Sequence, residues 1–179
     1  MTLLMSGGMD SMVCAHLFVE QGLNVLGLFI DFGQAPVHRE RSSVKQVCRR
    51  LSIALSEITV SGTRRFGSGE ITGRNAFLIF TALLARKNLP GLVSLGIHAG
   101  TRYFDCSPVF AQSVGRLVDE HTDGRVKLAV PLISWTKKDI FDYAVRHELP
   151  IANTYSCEKG GAKPCGRCLS CRDRKALEC

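Results

Sequence analysis

Long apolar runs are missing from this chain of 179 residues. The longest are residues 25–30, which end at Asp31, and residues 76–85, which contain Thr81. Both fall far short of the ~18 residues that a membrane-spanning helix needs. No basic stretch followed by an apolar one opens the chain, because Asp10 arrives too early, so a secretory signal peptide is not expected. Internal repeats and low-complexity segments are absent. The five histidines never fall at metal-ligand spacing and are read as structural or surface residues. Neither G-x-x-x-x-G-K-[ST] nor G-x-G-x-x-G occurs, which excludes a Walker-type loop and the dinucleotide fingerprint. With 45% hydrophobic and 22% charged residues, the chain is not disordered, collagen-like or a coiled coil. It has the length of one ordinary globular domain with a small appendage, a size that buries about 70% of the unfolded chain's surface.

What is present begins with charge and cysteine. The formal net charge is +7, carried in short basic clusters at residues 39–41, 45–50, 64–65 and 172–175. Scattered in this way, they suit a solvated basic surface, or anionic partners such as nucleotides, phosphates or RNA. Of eight cysteines, Cys14, Cys48 and Cys106 are dispersed, whereas Cys157, Cys165, Cys168, Cys171 and Cys179 crowd the last stretch. A secreted disulfide framework would spread its bridges along the chain, so this pattern indicates a reducing, cytoplasmic setting and a local metal site.

Strand and helix signals alternate. Strands are expected at residues 2–5, 24–30, 53–60, 92–97 and 126–132, and helices at 12–21, 37–51, 75–87, 109–121 and 136–147. The helix at 75–87 is the most apolar and is expected to lie buried against the sheet. Thr136 with Asp139 makes an N-cap signal. This alternation predicts an α/β fold, a doubly wound parallel sheet covered on both faces. Residues 61–73, rich in Gly, Ser, Thr and Arg, form a loop. Near Pro150 the character changes: residues 1–150 form the α/β unit, and residues 151–179, polar and rich in Gly, Cys and Lys, cannot build a core unaided and are expected to pack on the same domain.

Two motifs carry chemistry. Ser6-Gly7-Gly8-Met9-Asp10-Ser11 lies between the first strand and the first helix, at the carboxyl edge where ligands of parallel sheets bind. Its glycines permit close backbone approach, the helix start offers N–H groups, and Ser6 and Ser11 add hydroxyl donors, which together suit a phosphate. In the second motif, Cys165, Cys168 and Cys171 repeat at two-residue gaps, and Cys157 can close a fourth corner of a tetrahedral Zn²⁺ site. Four sulfur ligands leave no open position, so such a zinc is structural, and its binding would supply folding free energy that the polar tail lacks. Four thiolates and one Zn²⁺ would lower the net charge from +7 to +5. Cys179 is read as a bystander.

The first motif resembles the signature of the PP-loop ATP pyrophosphatases, which activate a substrate oxygen with ATP. Asp31-Phe32-Gly33-Gln34, Gly73-Arg74-Asn75, Tyr103-Phe104-Asp105-Cys106 and Tyr155-Ser156-Cys157, followed by the cysteine run, narrow the likeness. In this order they resemble the QueC family of 7-cyano-7-deazaguanine synthases, from Leu3 to about Arg174. The resemblance implies a Rossmann-like PP-loop fold of the HUP type with a small four-cysteine zinc knuckle. It also implies a cytoplasmic, ATP-dependent ligase that turns 7-carboxy-7-deazaguanine and ammonia into the nitrile through an adenylate and an amide. Two other acceptor chemistries stay open: transfer of the adenylated deazaguanine to an amine on a protein or nucleic acid, and RNA modification.

Residue by residue, the resemblance places Ser6, Gly7, Gly8, Asp10, Ser11, Asp31 and Gln34 around ATP, with Asp10 helping to hold Mg²⁺. It sets Arg74, Asn75, Tyr103 and Asp105 around the deazapurine, and Asp10, Lys137 and Arg74 at the chemistry. Other readings stand beside these. Asp31 also suits a strand-end cap, Asp105 a turn, Lys137 one surface lysine among many, and Arg74 a solvated helix start, although the helix dipole there disfavours an unpartnered cation.

The chain departs from the family pattern where Ala35-Pro36-Val37-His38, rather than Arg-His, follows Gln34. Residues 61–73 are also shorter than in typical members. The short segment, carrying Arg64 and Arg65, is expected to be mobile and to leave the site open, so that the chain leaks activated intermediate unless a homodimer mate or a partner protein covers it.

Overall fold

In the computed structural model, which describes residues 1–62, 66–67, 69–86, 89–98 and 100–179, the strands form one parallel sheet. Arg64 and Arg65 lie outside the described residues. The strands are β1 (Thr2–Leu4), β2 (Leu26–Asp31), β3 (Ala54–Thr59), β4 (Gly91–Ser94) and β5 (Val126–Ala129), in the order β3-β2-β1-β4-β5. Register sets Leu3 beside Gly27 on one flank and Ser94 on the other. All three residues of β1 are buried, as a central parallel strand requires. The edge strand β3 has only Leu55 and Ile58 half-buried among exposed positions, which explains its weak sequence pattern.

The helices are α1 (Met9–Glu20), α2 (Val37–Arg50), α3 (Arg74–Ala85), α4 (Pro108–His121), α5 (Lys137–Arg146) and α6 (Leu169–Ala176). Successive strand residues point to opposite faces, and two cores result. Leu3 and Phe29 join Met12, Val13, Val44, Val47, Ile140 and Ala144 beneath α1, α2 and α5. Leu4, Leu28, Ile30 and Val93 join Ile79, Ala82, Phe110, Val114 and Val118 beneath α3 and α4. The sheet is thus doubly wound. The chain steps outward from β1 to β3, then returns to β4 on the other side of β1, which makes the crevice between the carboxyl ends of β1 and β4 the switch point where ligands bind.

Three local features bear on that crevice. Helix α1 starts at Met9, earlier than its apolar pattern indicates, so Asp10 and Ser11 belong to its first turn. Helix α5 opens on a full capping box, with the Thr136 hydroxyl accepting from the Asp139 N–H and the Asp139 carboxylate accepting from the Thr136 N–H. Helix α3, expected to lie buried, buries only Asn75, Ile79 and Ala82. Leu84 is 84% exposed and Phe77 39%, because only one stripe of this apolar helix meets the sheet.

Beyond a 3-10 turn at Ile151–Asn153, the chain carries little regular structure until α6. It is tied back at several points: the Tyr155 N–H donates to the Gly7 carbonyl at 2.9 Å, and Arg174 donates to the Ile151 carbonyl and the Thr154 hydroxyl. Among the described residues, no helix is long and apolar enough to cross a membrane.

Candidate active site

The loop after β1 is shaped by what it must pass. Gly7 has φ +76°, and a Cβ there would meet the Glu40 carbonyl at 2.8 Å and the Ser43 Cβ at 2.9 Å. Only glycine fits both the left-handed backbone and the contact with α2. The Ser43 hydroxyl, 2.7 Å from the Gly7 carbonyl and 2.6 Å from that of Asn153, pins the loop between α2 and the C-terminal segment. The Ser11 hydroxyl donates to the Gly8 carbonyl at 2.9 Å, and Ser6 Oγ lies 3.4 Å from Ser11 Oγ. No side chain caps α1 at Gly8, which keeps its first N–H groups available for an anion.

This loop borders a cavity of about 280 Å³ whose walls include Ser6, Gly8, Asp10, Ser11, Arg74 and Lys137. Asp10 Oδ1 accepts from Lys137 Nζ at 2.5 Å. Lys137 is the first residue of α5, where the dipole disfavours a cation, and the carboxylate offsets that cost. His98 Nε2 lies 3.7 Å from Asp10 Oδ2, and burial holds this imidazole below its usual pKa, Asp10 pulling the other way. The approach is made possible at Gly96, where a Cβ would come within 3.0 Å of the Asp10 backbone. His98 is therefore part of the cavity wall as well as a buried residue, and no spacing signal ties residue 98 to residue 10.

Three residues expected to touch ligand are committed elsewhere. Asp31 does not line the cavity: its carboxylate accepts from the Gly33 N–H at 3.1 Å and from Arg41 at 2.6 Å, which is the capping alternative. Gln34 does line the cavity, but its amide accepts from the Phe32 N–H and donates to the Ile30 carbonyl and to Glu40 Oε2. Asp105 is buried off the cavity, accepting from the Asn75 N–H at 3.2 Å, so it caps the start of α3 rather than offering a free edge to a base. Asn75 answers by donating its amide to the Asp105 carbonyl at 2.8 Å. Arg74 and Tyr103 remain on the cavity wall.

Glu40 is a second wall residue without a sequence signal. It lines the cavity from the first turn of α2, and burial pushes its carboxyl up to about 7, with the Gln34 amide and Arg74 opposing. Nothing in its sequence neighbourhood signals this, because the desolvation comes from residues distant in the chain.

The described residues of the loop at 61–73 are tied to the rest of the chain at two points. Phe66 bridges to Gln34, its N–H donating to the Gly33 carbonyl at 3.1 Å and its carbonyl accepting from Ala35 at 3.2 Å. The Gly69 N–H donates to Glu158 at 2.9 Å. Gly67, Gly69 and Ile71 form part of the cavity wall.

The four predicted cysteines converge. The sulfur atoms of Cys157, Cys165, Cys168 and Cys171 all lie within 4.8 Å of one another. The backbone N–H groups of Arg167 and Cys168 pull the Cys165 thiol down to about 6, while burial pushes Cys171 up to about 12. One thiolate is thus prepared at neutral pH, and a borderline-soft cation such as Zn²⁺ fits this all-sulfur donor set.

Comparison with known proteins follows the same lines. A family profile described as "Queuosine biosynthesis protein QueC" matches residues 1–76 and 68–177, in two pieces that meet where the loop enters α3. The chain is 32% identical to the 7-cyano-7-deazaguanine synthase of Prochlorococcus marinus (strain NATL1A), covering 98% of this chain and 91% of that one. Against the enzyme of the same name from Paracoccus denitrificans (strain Pd 1222), identity is 31% over 95% of this chain and 84% of the relative. A solved structure described as a predicted subunit of tRNA methyltransferase from Methanocaldococcus jannaschii shares the fold, with a TM-score of 0.55 and 20% identity over 80% of this chain and 72% of that one.

Proposed function

The chain belongs to the QueC family of queuosine biosynthesis proteins, and on that premise we propose that it is an ATP-dependent ligase converting 7-carboxy-7-deazaguanine and ammonia to 7-cyano-7-deazaguanine. The observation that carries this reading is the Asp10–Lys137 pair at the mouth of the glycine loop, at the switch point of a doubly wound sheet.

A carboxylate is a poor electrophile until one of its oxygens becomes a leaving group, and transfer of AMP to it does that. In this account the backbone of Ser6, Gly7 and Gly8 and the first turn of α1, with the Ser6 and Ser11 hydroxyls, take the phosphates of ATP. Asp10 would hold Mg²⁺, which supplies charge neutralisation at the phosphates when bound. Lys137 and Arg74 stabilise the negative charge that develops as the bond to pyrophosphate breaks. Arg74, Asn75 and Tyr103 bound the deazapurine. Asp31, Gln34 and Asp105 hold the strand end and the start of α3 in place without touching it.

Glu40, half ionised near neutrality, is suited to accept a proton as ammonia adds to the adenylate. Ammonia displaces AMP to give the amide, whose oxygen is adenylated in turn and leaves with AMP while the nitrogen gives up a proton, which yields the nitrile. Gly67, Gly69 and Ile71 wall part of the site, and in this account the chain retains its activated intermediates without a covering partner. Cys157, Cys165, Cys168 and Cys171 would hold a structural Zn²⁺, and thiolate ligands of this kind suit the reducing cytoplasm.

The reading is tested by Asp10→Asn, which leaves the fold intact and lowers ATP turnover by about a hundredfold or more. Unchanged adenylation by the folded variant removes Asp10 from the site.

A further inference from the structure

One cluster of metal-ligating side chains lies outside the site. His16 and Glu20 are one turn apart on α1, and His147 is the C-cap of α5. One ring nitrogen of each histidine and a Glu20 carboxylate oxygen all lie within 4.8 Å of one another. His16 Nδ1 faces the Tyr143 hydroxyl at 3.0 Å, and its Nε2 is 3.8 Å from Glu20 Oε1. The ring of Tyr143 stacks on that of His147 with centroids 4.1 Å apart, so both imidazoles are oriented by one tyrosine.

We propose that His16, Glu20 and His147 form a second metal site, selective for a divalent ion of the zinc–nickel class, that clamps α1 to α5. Two imidazoles and a carboxylate are the donor set such ions take, and three protein ligands leave a position for water. Tyr143 does what an outer partner of a metal-bound histidine does: it fixes the ring and leaves Nε2 to the ion. Bond lengths near 2 Å require the ligand atoms to draw closer than they stand, and Glu20, whose side chain is 56% exposed, can turn to do so.

The position gives the clamp a consequence. Asp10 and Lys137 sit at the starts of α1 and α5 and pair with each other, while His16, Glu20, Tyr143 and His147 join the far ends of the same two helices. An ion here would fix the relative placement of the two helices that carry the Asp10–Lys137 pair. The proposal is independent of the deazapurine reading.

The test uses the full chain saturated with Zn²⁺ at its four cysteines, titrated with Ni²⁺ by calorimetry and followed by absorption. One further equivalent of Ni²⁺ is expected to bind without sulfur-to-nickel charge-transfer bands and to raise the melting temperature. Glu20→Gln, at an exposed position, is expected to weaken that binding about tenfold, and Tyr143→Phe by about ten- to a hundredfold. His147→Gln should abolish it while leaving the zinc content unchanged. Failure of the Zn²⁺-saturated protein to bind Ni²⁺, binding that brings charge-transfer bands, or affinity undiminished in both Glu20→Gln and His147→Gln overturns the proposal.

Discussion

The two ends of the chain differ in what their residues can bury. Residues up to about 150 supply both faces of the sheet, with Leu3, Met12, Val13, Val44, Val47, Ile79, Val93 and Ile140 wholly excluded from solvent. After Thr154 the only buried residues are Cys157 and Cys171, two of the four clustered cysteines. Burial of apolar area accounts for the first region at about 25 cal/mol per Å². The second has too little apolar area for that, and a metal bound by its four thiolates would be the substitute. Yet the second region helps to shape the site, through Tyr155 on the glycine loop, Asn153 on the Ser43 hydroxyl that also holds Gly7, and Glu158 on the wall loop. A cavity wall here depends on a segment without a core of its own.

The largest effect should therefore come from the cysteines. Cys165→Ser or Cys168→Ser is expected to lose one Zn²⁺ per chain and to lower the melting temperature by roughly 10 °C, the equivalent of about 3–5 kcal/mol in a chain of this size. ATP turnover should fall with it. Metal analysis finding no zinc in the freshly purified wild type would break the comparison at its root.

Glu40 sharpens the other side, because burial is the largest influence on its protonation, outweighing the Gln34 amide and Arg74. A carboxyl whose folded pKa lies near 7 rather than 4.5 binds its proton more tightly in the folded state. Its contribution is fully present below pH 4.5, falls as pH rises toward 7, and is lost above that. Glu40→Gln keeps an acceptor for the Gln34 amide and removes the charge. It is expected to flatten the decline in stability between those limits and to raise stability at pH 8, by at most about 3 kcal/mol. The same flattening should appear in the Cys165→Ser background, and its absence there would show that the two regions are not separately stabilised.

A smaller effect is expected at Gly7, where both regions meet. Gly7→Ala places a methyl group against the Glu40 carbonyl and Ser43 in a left-handed backbone, at a cost of about 1–3 kcal/mol. Weaker ATP binding should accompany the loss of stability, and a variant with wild-type affinity would mean that the loop has room that the packing denies it.

How legible each part was in the sequence follows the same division. Strands and helices were readable because apolar periodicity is local, and the Thr136–Asp139 box and the cysteine spacing are local too. The convergence of Asp10 with Lys137 came only through family resemblance, since 127 residues separate them. Asp31 and Asp105 look like ligand-binding carboxylates until Arg41 and the Asn75 N–H are seen to occupy them. Glu40 and His98 were invisible for a related reason: their environment is built by residues remote in sequence. Helix α3 misled because an apolar composition does not say which of its sides meets the sheet. In the loop at 61–73, glycine content says nothing of the hydrogen bonds at Phe66 and Gly69.

The central claim, ATP-driven nitrile formation in a cavity walled in part by the chain's own loop, is tested most directly by one assay. Purified protein is given ATP, ammonia and 7-carboxy-7-deazaguanine, with AMP and nitrile quantified by mass as protein concentration is varied. The account predicts the nitrile as product, with AMP and nitrile in a ratio near two at every protein concentration, one AMP for each activation. AMP released without nitrile, or a ratio climbing well above two as the protein is diluted, would contradict it.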